Sequence, residues 1–368
     1  MDSDSWLVGF DATGNVLAGE DPAAGDPSTE GGAGADSGER GSAMRVVFMG
    51  TPEFALGSLR ALDRAEKVDV AAVVTRPDAV SGRGRTPQPS PVKRYALQAG
   101  IPVIETKTLR TPEVQDEIRA LAPDVIAVTA YGAIIPDEVL RMPTMGCVNV
   151  HASLLPRWRG AAPIQRAILA GDPLVGFSIM KVGHELDAGP WCEQSGFAPG
   201  EHTFDEVSAR LSVMGGDTLA DVLVRWWEGD APSWNVQDPD RATYAEKVSK
   251  AEMRLNPADG VVANARRVFA SSNAAPARCV VAGRGVRVTR AHVPQGGEDA
   301  PELGAGEAAA VDGRLFLGCS EPADGSPADA PASLEVLEVR PDGGREMGAA
   351  AFVAGIHDRS DMTWEALA

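Results

Sequence analysis

The stretch Arg45-Val-Val-Phe-Met-Gly50 decides the class of fold that the sequence predicts. Its apolar residues follow one another without polar alternation, which is typical of a strand buried on both faces, as in a parallel sheet. The run ends at a glycine, and a helical pattern follows from Glu53 to about Ala65. From Met44 the chain therefore opens with a strand, a turn and a helix, the repeating unit of α/β folds.

The same alternation continues downstream. Apolar runs predict strands at 68–75, 101–104, 124–129 and 147–150, and helical patterns separate them at 92–98 and 113–121. This order predicts a Rossmann-like, doubly wound and mostly parallel sheet, in which ligands bind beyond the carboxyl ends of the strands. We expect four such ends to converge: Gly50, the loop after Thr75, the segment Ala130-Tyr-Gly132, and His151.

A second folded region is predicted after a polar, proline-containing stretch that begins at Trp234. A helical pattern at 258–269 precedes short apolar runs at 278–281, 286–292, 309–311, 315–319 and 334–340. Short strands separated by turn residues are typical of a small β-barrel. The sequence thus predicts four parts: an acidic disordered tail at 1–43, a catalytic domain at 44–232, a linker at 233–255 and a C-terminal barrel domain at 256–368.

The tail at 1–43 is rich in glycine, alanine, serine and acidic residues, and Arg40 is its only lysine or arginine. Such a segment cannot bury enough apolar area to offset the entropy of ordering it, so we expect disorder. An organelle transit peptide is arginine-rich and acid-poor, which is the opposite composition. The tail as written is therefore a poor targeting signal, although an added amino-terminal segment favours a eukaryotic organelle as the home of the chain.

Net charge, cysteine spacing and hydropathy limit the class of protein further. The net charge of −18 at pH 7 argues against non-specific nucleic-acid binding by bulk charge, so contacts with RNA must come from local basic patches. The four cysteines lie far apart without zinc-binding spacing, which indicates reduced thiols in a reducing compartment. No run approaches the roughly 18 apolar residues of a membrane helix, and no signal-peptide pattern is present, so we expect a soluble protein without a membrane partner.

Asn149 and His151 stand two residues apart at the end of a predicted strand, which aims both side chains to one face. Taken alone, the pair has a simpler interpretation, in which the asparagine satisfies a turn and the histidine is a hydrogen-bonded core residue. The residues that follow favour catalysis instead: Ala152-Ser-Leu-Leu-Pro-Arg-Trp-Arg-Gly-Ala-Ala-Pro-Ile-Gln165 and, later, Leu186-Asp-Ala-Gly-Pro190.

At these residues the sequence resembles the methionyl-tRNA formyltransferases, whose hallmark is N-x-H followed by S-L-L-P-x-x-R-G-A-A-P and a later L-D-x-G. The resemblance covers Met44 to about Val261 and thins out in the last third of the chain. N-x-H with S-L-L-P marks only the wider formyltransferase superfamily. The extension Arg157-Trp-Arg-Gly-Ala-Ala-Pro163 narrows the resemblance toward the tRNA branch.

This resemblance implies a reaction and the residues that perform it. The formyl group of 10-formyltetrahydrofolate, a co-substrate, would pass to the α-amino group of methionyl-initiator tRNA. The implied site residues are Asn149, His151 and Asp187 for catalysis, Ser153, Leu154, Leu155 and Pro156 along the folate site, and Arg83 and Arg85 in a loop that reaches the tRNA acceptor end. In the family, the C-terminal domain is an OB-like barrel that holds tRNA through basic residues.

The basic residues could instead have no role in RNA binding. The segment Gly82-Arg-Gly-Arg85 could be a mobile charged loop, although arginine suits bidentate phosphate contacts, and Lys93 with Arg94 could extend its surface. The barrel region offers six arginines that could hold tRNA or could simply be solvated: Arg266, Arg267, Arg278, Arg284, Arg287 and Arg290.

The chemistry fits the three catalytic residues. Since the α-amine of an aminoacyl ester is partly neutral near pH 7, strong base activation is unnecessary, but a proton must still move between the two nitrogens. An imidazole titrates near neutrality, so His151 is the candidate shuttle. The Asn149 amide can donate to the oxyanion, and Asp187 would orient His151 and stabilise its cation. No metal is required.

One position departs from the family. Relatives usually carry glycine directly before L-D, whereas Glu185 stands there in this chain, so the Asp187 loop is expected to be rearranged if that glycine needs a positive φ. His184 is expected to be a solvated loop residue. Two other functions stay open: a related formyltransferase or formyl-folate hydrolase acting on a small amine or water, and a non-catalytic RNA-binding module. We expect a monomer in a bacterial cytoplasm or, in a eukaryote, a mitochondrial matrix or plastid stroma.

Overall fold

The computed structural model describes residues 8–10, 16–17, 43–80, 87–294, 300–320, 333–357, 359 and 361–367. Its α-helices are α1 (Leu56–Arg64), α2 (Pro91–Ala99), α3 (Pro112–Ala120), α4 (Asp137–Leu140), α5 (Pro163–Ala170), α6 (Phe204–Trp227), α7 (Val261–Phe269) and α8 (Ala349–Ala354). Single turns of 3-10 helix lie at Glu53–Ala55 and Pro239–Arg241.

The strands of the first half of the chain are β1 (Val8–Phe10), β2 (Val16–Leu17), β3 (Met44–Gly50), β4 (Val68–Thr75), β5 (Ala79–Val80), β6 (Pro87–Gln88), β7 (Val103–Glu105), β8 (Val125–Thr129), β9 (Cys147–His151), β10 (Arg159–Gly160) and β11 (Val175–Lys181). Those of the second half are β12 (Trp191–Phe197), β13 (Tyr244–Ala245), β14 (Arg278–Val281), β15 (Arg284–His292), β16 (Ala308–Val311), β17 (Arg314–Gly318), β18 (Ser333–Pro341), β19 (Met347–Gly348) and β20 (Trp364–Ala366).

The chain divides into two compact units. The first unit comprises Met1–Arg159, Gly176–Phe197 and Ala209–Thr243, and the second comprises Gly160–Val175, Ala198–Ser208 and Tyr244–Ala368. This division differs from the predicted linker at 233–255, because residues 233–243 belong to the first unit. Within them, Asn235 exchanges backbone hydrogen bonds with Trp191, at 2.7 and 3.0 Å. A polar, proline-containing composition did not reveal this pairing.

A nine-stranded sheet organises the first unit, with the strand order β2-β1-β12-β11-β9-β8-β3-β4-β7. The five strands from β9 to β7 in this order are parallel to their neighbours, as predicted. β11 runs antiparallel to β9, and β1 is antiparallel to both β12 and β2. The mostly parallel, Rossmann-like sheet is therefore confirmed, while β11 and β12 were not predicted.

The centre of this sheet is buried on both faces. Every residue of β8 is buried, as are the last five of β3, which explains why both segments are apolar without alternation. On one face, Val47, Met49 and Ile126 pack with Ile118 of α3. On α1, Gly57 lies so close to α6 that a Cβ there would be 1.9 Å from the carbonyl oxygen of Ser212. A side chain at this position would push the two helices apart.

The predicted disordered tail contains two short strands. Val8 and Gly9 of β1 are in register with Gly196 and Ser195 of β12, and β2 pairs with β1. The remaining residues of the tail, up to residue 42, lie outside the described part of the chain. Disorder therefore stays a prediction for those residues and does not describe β1 and β2.

An antiparallel, nearly closed barrel forms the main part of the second unit. Its sheet has the order β16-β17-β18-β15-β14-β20, and β19 pairs with β18. The two ends of this order meet, because the backbone N–H of Ala308 donates to Met362 (2.8 Å) and that of Trp364 donates to Gly306 (2.8 Å). The buried Trp364 fills the interior and donates its indole N–H to the Gly318 carbonyl (2.7 Å). The predicted OB-like barrel is confirmed; β20 and α8 were not predicted.

Candidate active site

The carboxyl ends of the parallel strands meet at one edge of the sheet. Gly50 is in register with Thr129 and Val128 with Asn149, so β3, β8 and β9 end side by side. After β3, the Thr51 hydroxyl donates to the Tyr131 carbonyl (3.2 Å) and accepts from the backbone N–H of Arg76 (3.3 Å). The expected convergence therefore occurs. The predicted tRNA loop with Arg83 and Arg85 lies outside the described residues.

His151 is fixed by a backbone carbonyl. The residue lies on β9 opposite Ser178 of β11 and is 6% exposed, and its Nε2 is 2.9 Å from the carbonyl oxygen of Trp158. Because a carbonyl oxygen can only accept, Nε2 must carry the hydrogen of this bond. Nδ1 is thereby left as the nitrogen that can accept a proton.

Asp187 lies on the Nδ1 side of this ring. Its Oδ2 is 3.7 Å from His151 Nδ1, which is an ion-pair distance and is longer than a hydrogen bond. The sequence predicts that Asp187 orients His151 and stabilises its cation, and in the structure a second group contributes to the orientation. The Trp158 carbonyl orients the imidazole, and the Asp187 carboxylate lies where it can stabilise a positive charge at Nδ1.

The Trp158 carbonyl belongs to a tightly held turn. Trp158 has a φ of +63°, and its backbone N–H donates to Oγ1 of Thr243 at 2.9 Å. The next residue, Arg159, donates its N–H to the Thr243 carbonyl at 2.8 Å. Sequence reasoning missed this partner of His151, because a functional backbone carbonyl leaves no mark in the type of its side chain.

The loop that carries Asp187 is also closely confined. Asp187 has a φ of +48°, a conformation that residues other than glycine seldom adopt. Two residues later, a Cβ on Gly189 would lie 1.9 Å from the Lys181 carbonyl oxygen, so only glycine fits there. Gln237, which sequence reasoning did not select, donates Nε2–H bonds to the carbonyls of Asp187 (2.8 Å) and Gly189 (2.7 Å).

On this loop, His184 is an exposed residue paired with Asp137 through Nδ1 at 2.9 Å. This exposure agrees with the expectation that His184 is a solvated loop residue. Glu185 accepts a backbone hydrogen bond from Ala188 (3.4 Å), which closes a turn around Leu186 and Asp187. The loop therefore accommodates glutamate where relatives usually carry glycine.

The segment from Ser153 to Pro156 begins two residues after His151 and is held by side chains of β11 and β12. Ser178 donates to the Ser153 carbonyl (2.6 Å) and accepts from the Leu155 N–H (3.1 Å), and Gln194 donates to the Leu155 carbonyl (2.8 Å). Ser153 and Leu155 are buried, whereas Leu154 and Pro156 are half-buried. Side chains that could line a ligand site are therefore Leu154 and Pro156, with the other two holding the segment in shape.

Asn149 lies opposite Met180 of β11 and is half-buried. Among the described residues, its side-chain amide makes no hydrogen bond. Such an amide, two residues before His151 on the same strand, is chemically suited to bind an oxygen that gains negative charge. Within the same part of the chain, no group of three or more histidine, cysteine, aspartate or glutamate side chains could hold a metal ion.

Several candidate RNA-binding cations are engaged elsewhere. Lys93 forms ion pairs with Glu105 and with Asp78 (2.9 Å), and hydrogen bonds to these carboxylates raise the pKa of Lys93 above its ordinary value. Arg94 donates to the carbonyl of Pro89 (2.9 Å). Lys93 is therefore neutralised by its neighbours and is not a free basic group for RNA.

Four of the six barrel arginines pair with a carboxylate or an amide in their own unit, and the other two make looser contacts there. The contacts are Arg267 with Asp259 (2.6 Å), Arg278 with Asp342, Arg290 with Glu206, Arg287 with Asn273 (2.7 Å), Arg284 over the Phe352 ring (5.1 Å to its centroid), and Arg266 against the backbone of Gly171. Burial also lowers the pKa of Arg287. Most of these side chains thus serve the fold of the second unit, and their number overstates the basic surface.

Comparisons with known proteins relate this chain to formyltransferases. A family model described as formyl transferase matches residues 44–223. Methionyl-tRNA formyltransferase of Methylococcus capsulatus is 41% identical over 311 residues, covering 84% of this chain and 96% of that protein. Methionyl-tRNA formyltransferase of Xanthomonas campestris pv. campestris is 47% identical over 246 residues, covering 67% and 80%.

Two solved structures share the fold. HypX from Aquifex aeolicus in complex with tetrahydrofolic acid matches with a TM-score of 0.53 and 18% identity over 85% of this chain and 47% of that one. An N-formyltransferase from Helicobacter canadensis, in complex with folinic acid and dTDP-3-aminofucose, matches with a TM-score of 0.54 and 13% identity over 83% of this chain and 100% of that one. At such identities the likeness concerns the fold alone.

Proposed function

The chain belongs to the methionyl-tRNA formyltransferase family, and we propose that Asn149, His151 and Asp187 are the catalytic residues of its reaction. The enzyme transfers a formyl group to the α-amino group of initiator methionyl-tRNA and uses folate. One observation carries the proposal. A buried imidazole is fixed at Nε2 by the Trp158 carbonyl and faces a carboxylate at Nδ1, beside an amide without a partner among the described residues.

The donor in this proposal is 10-formyltetrahydrofolate, a substrate that supplies an activated formyl group. A bond forms between the amino nitrogen of the methionyl ester and the formyl carbon, and the bond from that carbon to N10 of the folate breaks. The proton that the amine loses ends on N10. Because no electrons are gained or lost overall, the reaction requires only charge stabilisation and proton transfer.

His151 moves the proton. Since Nε2 is held by the Trp158 carbonyl, Nδ1 is the nitrogen that takes the proton from the attacking amine and returns it to the leaving nitrogen. The Asp187 carboxylate at 3.7 Å stabilises the imidazolium that exists between these two transfers. Acid-base help of this kind contributes roughly 10²–10⁴-fold to the rate.

Asn149 stabilises the developing charge. When the amine adds to the formyl carbon, the formyl oxygen becomes negative, and the Asn149 amide, which makes no hydrogen bond within the described part of the chain, can donate one to it. Loss of a single donor of this type costs about 10²–10³ in rate. The amide, the imidazole and the carboxylate thus divide oxyanion binding, proton transfer and charge stabilisation among them.

Two further segments are proposed to bind the substrates. Ser153, Leu154, Leu155 and Pro156 form the folate-lining segment, in which the buried Ser153 and Leu155 support the half-buried Leu154 and Pro156. Arg83 and Arg85 contact the tRNA acceptor end. The proposal uses no residue from a second copy of the chain, which fits a monomer, and the four free cysteines fit a reducing compartment. Among the described residues, no helix is long and apolar enough to cross a membrane.

One assay tests the reaction. The purified chain is incubated with 10-formyltetrahydrofolate and either initiator or elongator methionyl-tRNA, and formyl-methionine is measured in a single turnover. We expect rapid formylation of the initiator, slower formylation of the elongator and none with unformylated tetrahydrofolate. Formate release without tRNA would instead identify a formyl-folate hydrolase. Formylation of small amines but of neither tRNA would identify another formyltransferase.

A further inference from the structure

Gln237 connects the catalytic loop to a buried arginine. Its Nε2 donates to the carbonyls of Asp187 (2.8 Å) and Gly189 (2.7 Å), and its Oε1 accepts from Nε of Arg159 (2.9 Å). Gln237 and Arg159 are each only 5% exposed. All hydrogen-bonding groups of this glutamine side chain are thus used, and two of the three bonds end on the loop that presents Asp187 to His151.

Arg159 lies next to the residue that orients His151. Its backbone follows Trp158, whose carbonyl holds Nε2 of the imidazole, and its side chain reaches Gln237. The chain of contacts therefore runs from the Trp158 turn through Arg159 and Gln237 to the Asp187 loop. It joins the two backbone segments whose separation sets the distance between His151 and Asp187.

This connection acts on a residue that needs external support. Asp187 has a φ of +48°, where a residue other than glycine is strained, and Glu185 occupies the place before Leu-Asp. Strained conformations persist when surrounding contacts determine them. The two hydrogen bonds from Gln237 to the loop backbone are contacts of this kind, and they do not occupy the Asp187 carboxylate.

We propose that Gln237, braced by Arg159, is a positioning residue that holds the Asp187 carboxylate beside Nδ1 of His151. The inference rests on the proposed catalytic role of Asp187. Gln237 acts through the loop backbone and is placed in contact with neither substrate. Its loss should therefore reduce kcat and leave the KM values for the folate donor and tRNA unchanged.

The test variant is Gln237→Glu. It has the same size and can still accept the Arg159 bond, but a carboxylate oxygen replaces the amide that donates to two carbonyls, so the loop is released while the brace remains. We expect kcat to fall by about 10-fold to 10²-fold, the scale on which a displacement of about 1 Å slows an enzyme. Gln237→Asn, which keeps the amide but is too short to reach, should show the same loss, and it serves if the glutamate variant does not fold.

Gln115→Glu is the matched control. This half-buried glutamine also donates Nε2–H to a backbone carbonyl, that of Leu109 (2.9 Å), but it lies on α3 and outside the proposed site. Its kcat should equal that of the wild type at a temperature well below unfolding. A Gln237 variant that melts earlier yet turns over normally at such a temperature would have a structural role only, which would overturn the inference.

A double-mutant cycle separates the two proposals. If Gln237 works through Asp187, the variant Asp187→Asn/Gln237→Glu should be no slower than Asp187→Asn alone, since the positioned carboxylate is already absent. Effects that multiply would overturn the inference. A normal rate for Asp187→Asn would instead overturn the catalytic role of Asp187, whereas a slow Asp187→Asn with a normal Gln237→Glu would leave that role standing and refute only the positioning role.

Discussion

The two compact units use their polar side chains differently. Around His151 in the first unit, Gln237, Ser178 and Ser153 are buried and bond to backbone atoms of irregular loops. In the second unit, the barrel arginines Arg267, Arg278 and Arg290 pair with carboxylates, and Arg287 donates to an amide oxygen. A buried polar group with its bonds made fixes a geometry, because breaking those bonds is costly. A surface ion pair contributes little to stability and also neutralises the charge that RNA binding needs.

The largest effect that this comparison predicts lies at β9. His151→Ala and Asn149→Ala should each slow formyl transfer by at least about 10²-fold, because one removes the proposed proton shuttle and the other the proposed oxyanion donor. The matched control is His292→Ala in the second unit, where Nδ1 pairs with Glu201 at 2.8 Å, and its rate should be normal. Single-turnover rates on variants with wild-type circular dichroism decide the matter. Normal turnover in either β9 variant would remove that residue from the site.

Side-chain types explain how much of the molecule could be predicted. Uninterrupted apolar runs located β3, β8 and β9 within one or two residues, because parallel strands buried on both faces leave that pattern. The polar pair Asn149 and His151 could be selected as candidate catalytic residues because it lies at the end of such a run. β12 was missed because four of its seven residues are polar or glycine: Glu193, Gln194, Ser195 and Gly196.

What could not be predicted depends on the backbone or on distant pairing. The carbonyl of Trp158 orients His151, yet its role is independent of the indole side chain. Gln237 stands in a polar stretch typical of a linker, and only the folded chain brings it to the Asp187 loop, 50 residues earlier. The partners of Arg267 and Arg278, which are Asp259 and Asp342, likewise lie in other segments of the chain, so a count of arginines overestimated the free basic surface.

A smaller effect is expected for the loop at 82–85. Arg83→Ala should slow the reaction with initiator tRNA and leave binding of the folate donor unchanged, because the proposed role of this arginine is to dock the tRNA. If Arg83 contacts a phosphate, the slope of log affinity against log salt becomes shallower by up to about one. A base-edge contact would keep the slope and weaken discrimination between initiator and elongator. Transfer rates and tRNA affinities at several salt concentrations distinguish these cases. Wild-type values throughout would show a merely solvated loop.

The variant Arg267→Ala tests whether a paired arginine of the barrel also contacts RNA. This arginine pairs with Asp259 at 2.6 Å and donates to the Glu252 carbonyl at 3.1 Å, so its charge is committed within the second unit. We expect tRNA affinity and its salt slope to match the wild type. Stability should fall by the roughly 0.2–1 kcal/mol of a partly exposed ion pair. Affinity titrations and urea unfolding measure both quantities. A shallower salt slope would show that Arg267 contacts RNA despite its internal partners.

The smallest effect is expected on removal of residues 2–43. Two short strands of this segment, β1 and β2, extend the edge of the sheet at β12. Each backbone hydrogen bond contributes about 0.5–1.5 kcal/mol net, while ordering a residue costs about 1–2 kcal/mol, so the two terms nearly cancel over so few residues. Formyl transfer should be unchanged, because all proposed site residues lie beyond residue 43. The melting temperature should shift by no more than about 2–4 °C, the equivalent of about 1 kcal/mol in a domain of this size.

Removing β1 also exposes the β12 edge, which is a template for strand pairing between molecules, so the truncated chain is best compared by size-exclusion chromatography at several concentrations. A loss of many degrees would show that the segment packs on the first unit, whereas a normal melting temperature with self-association would show that β1 protects a sheet edge.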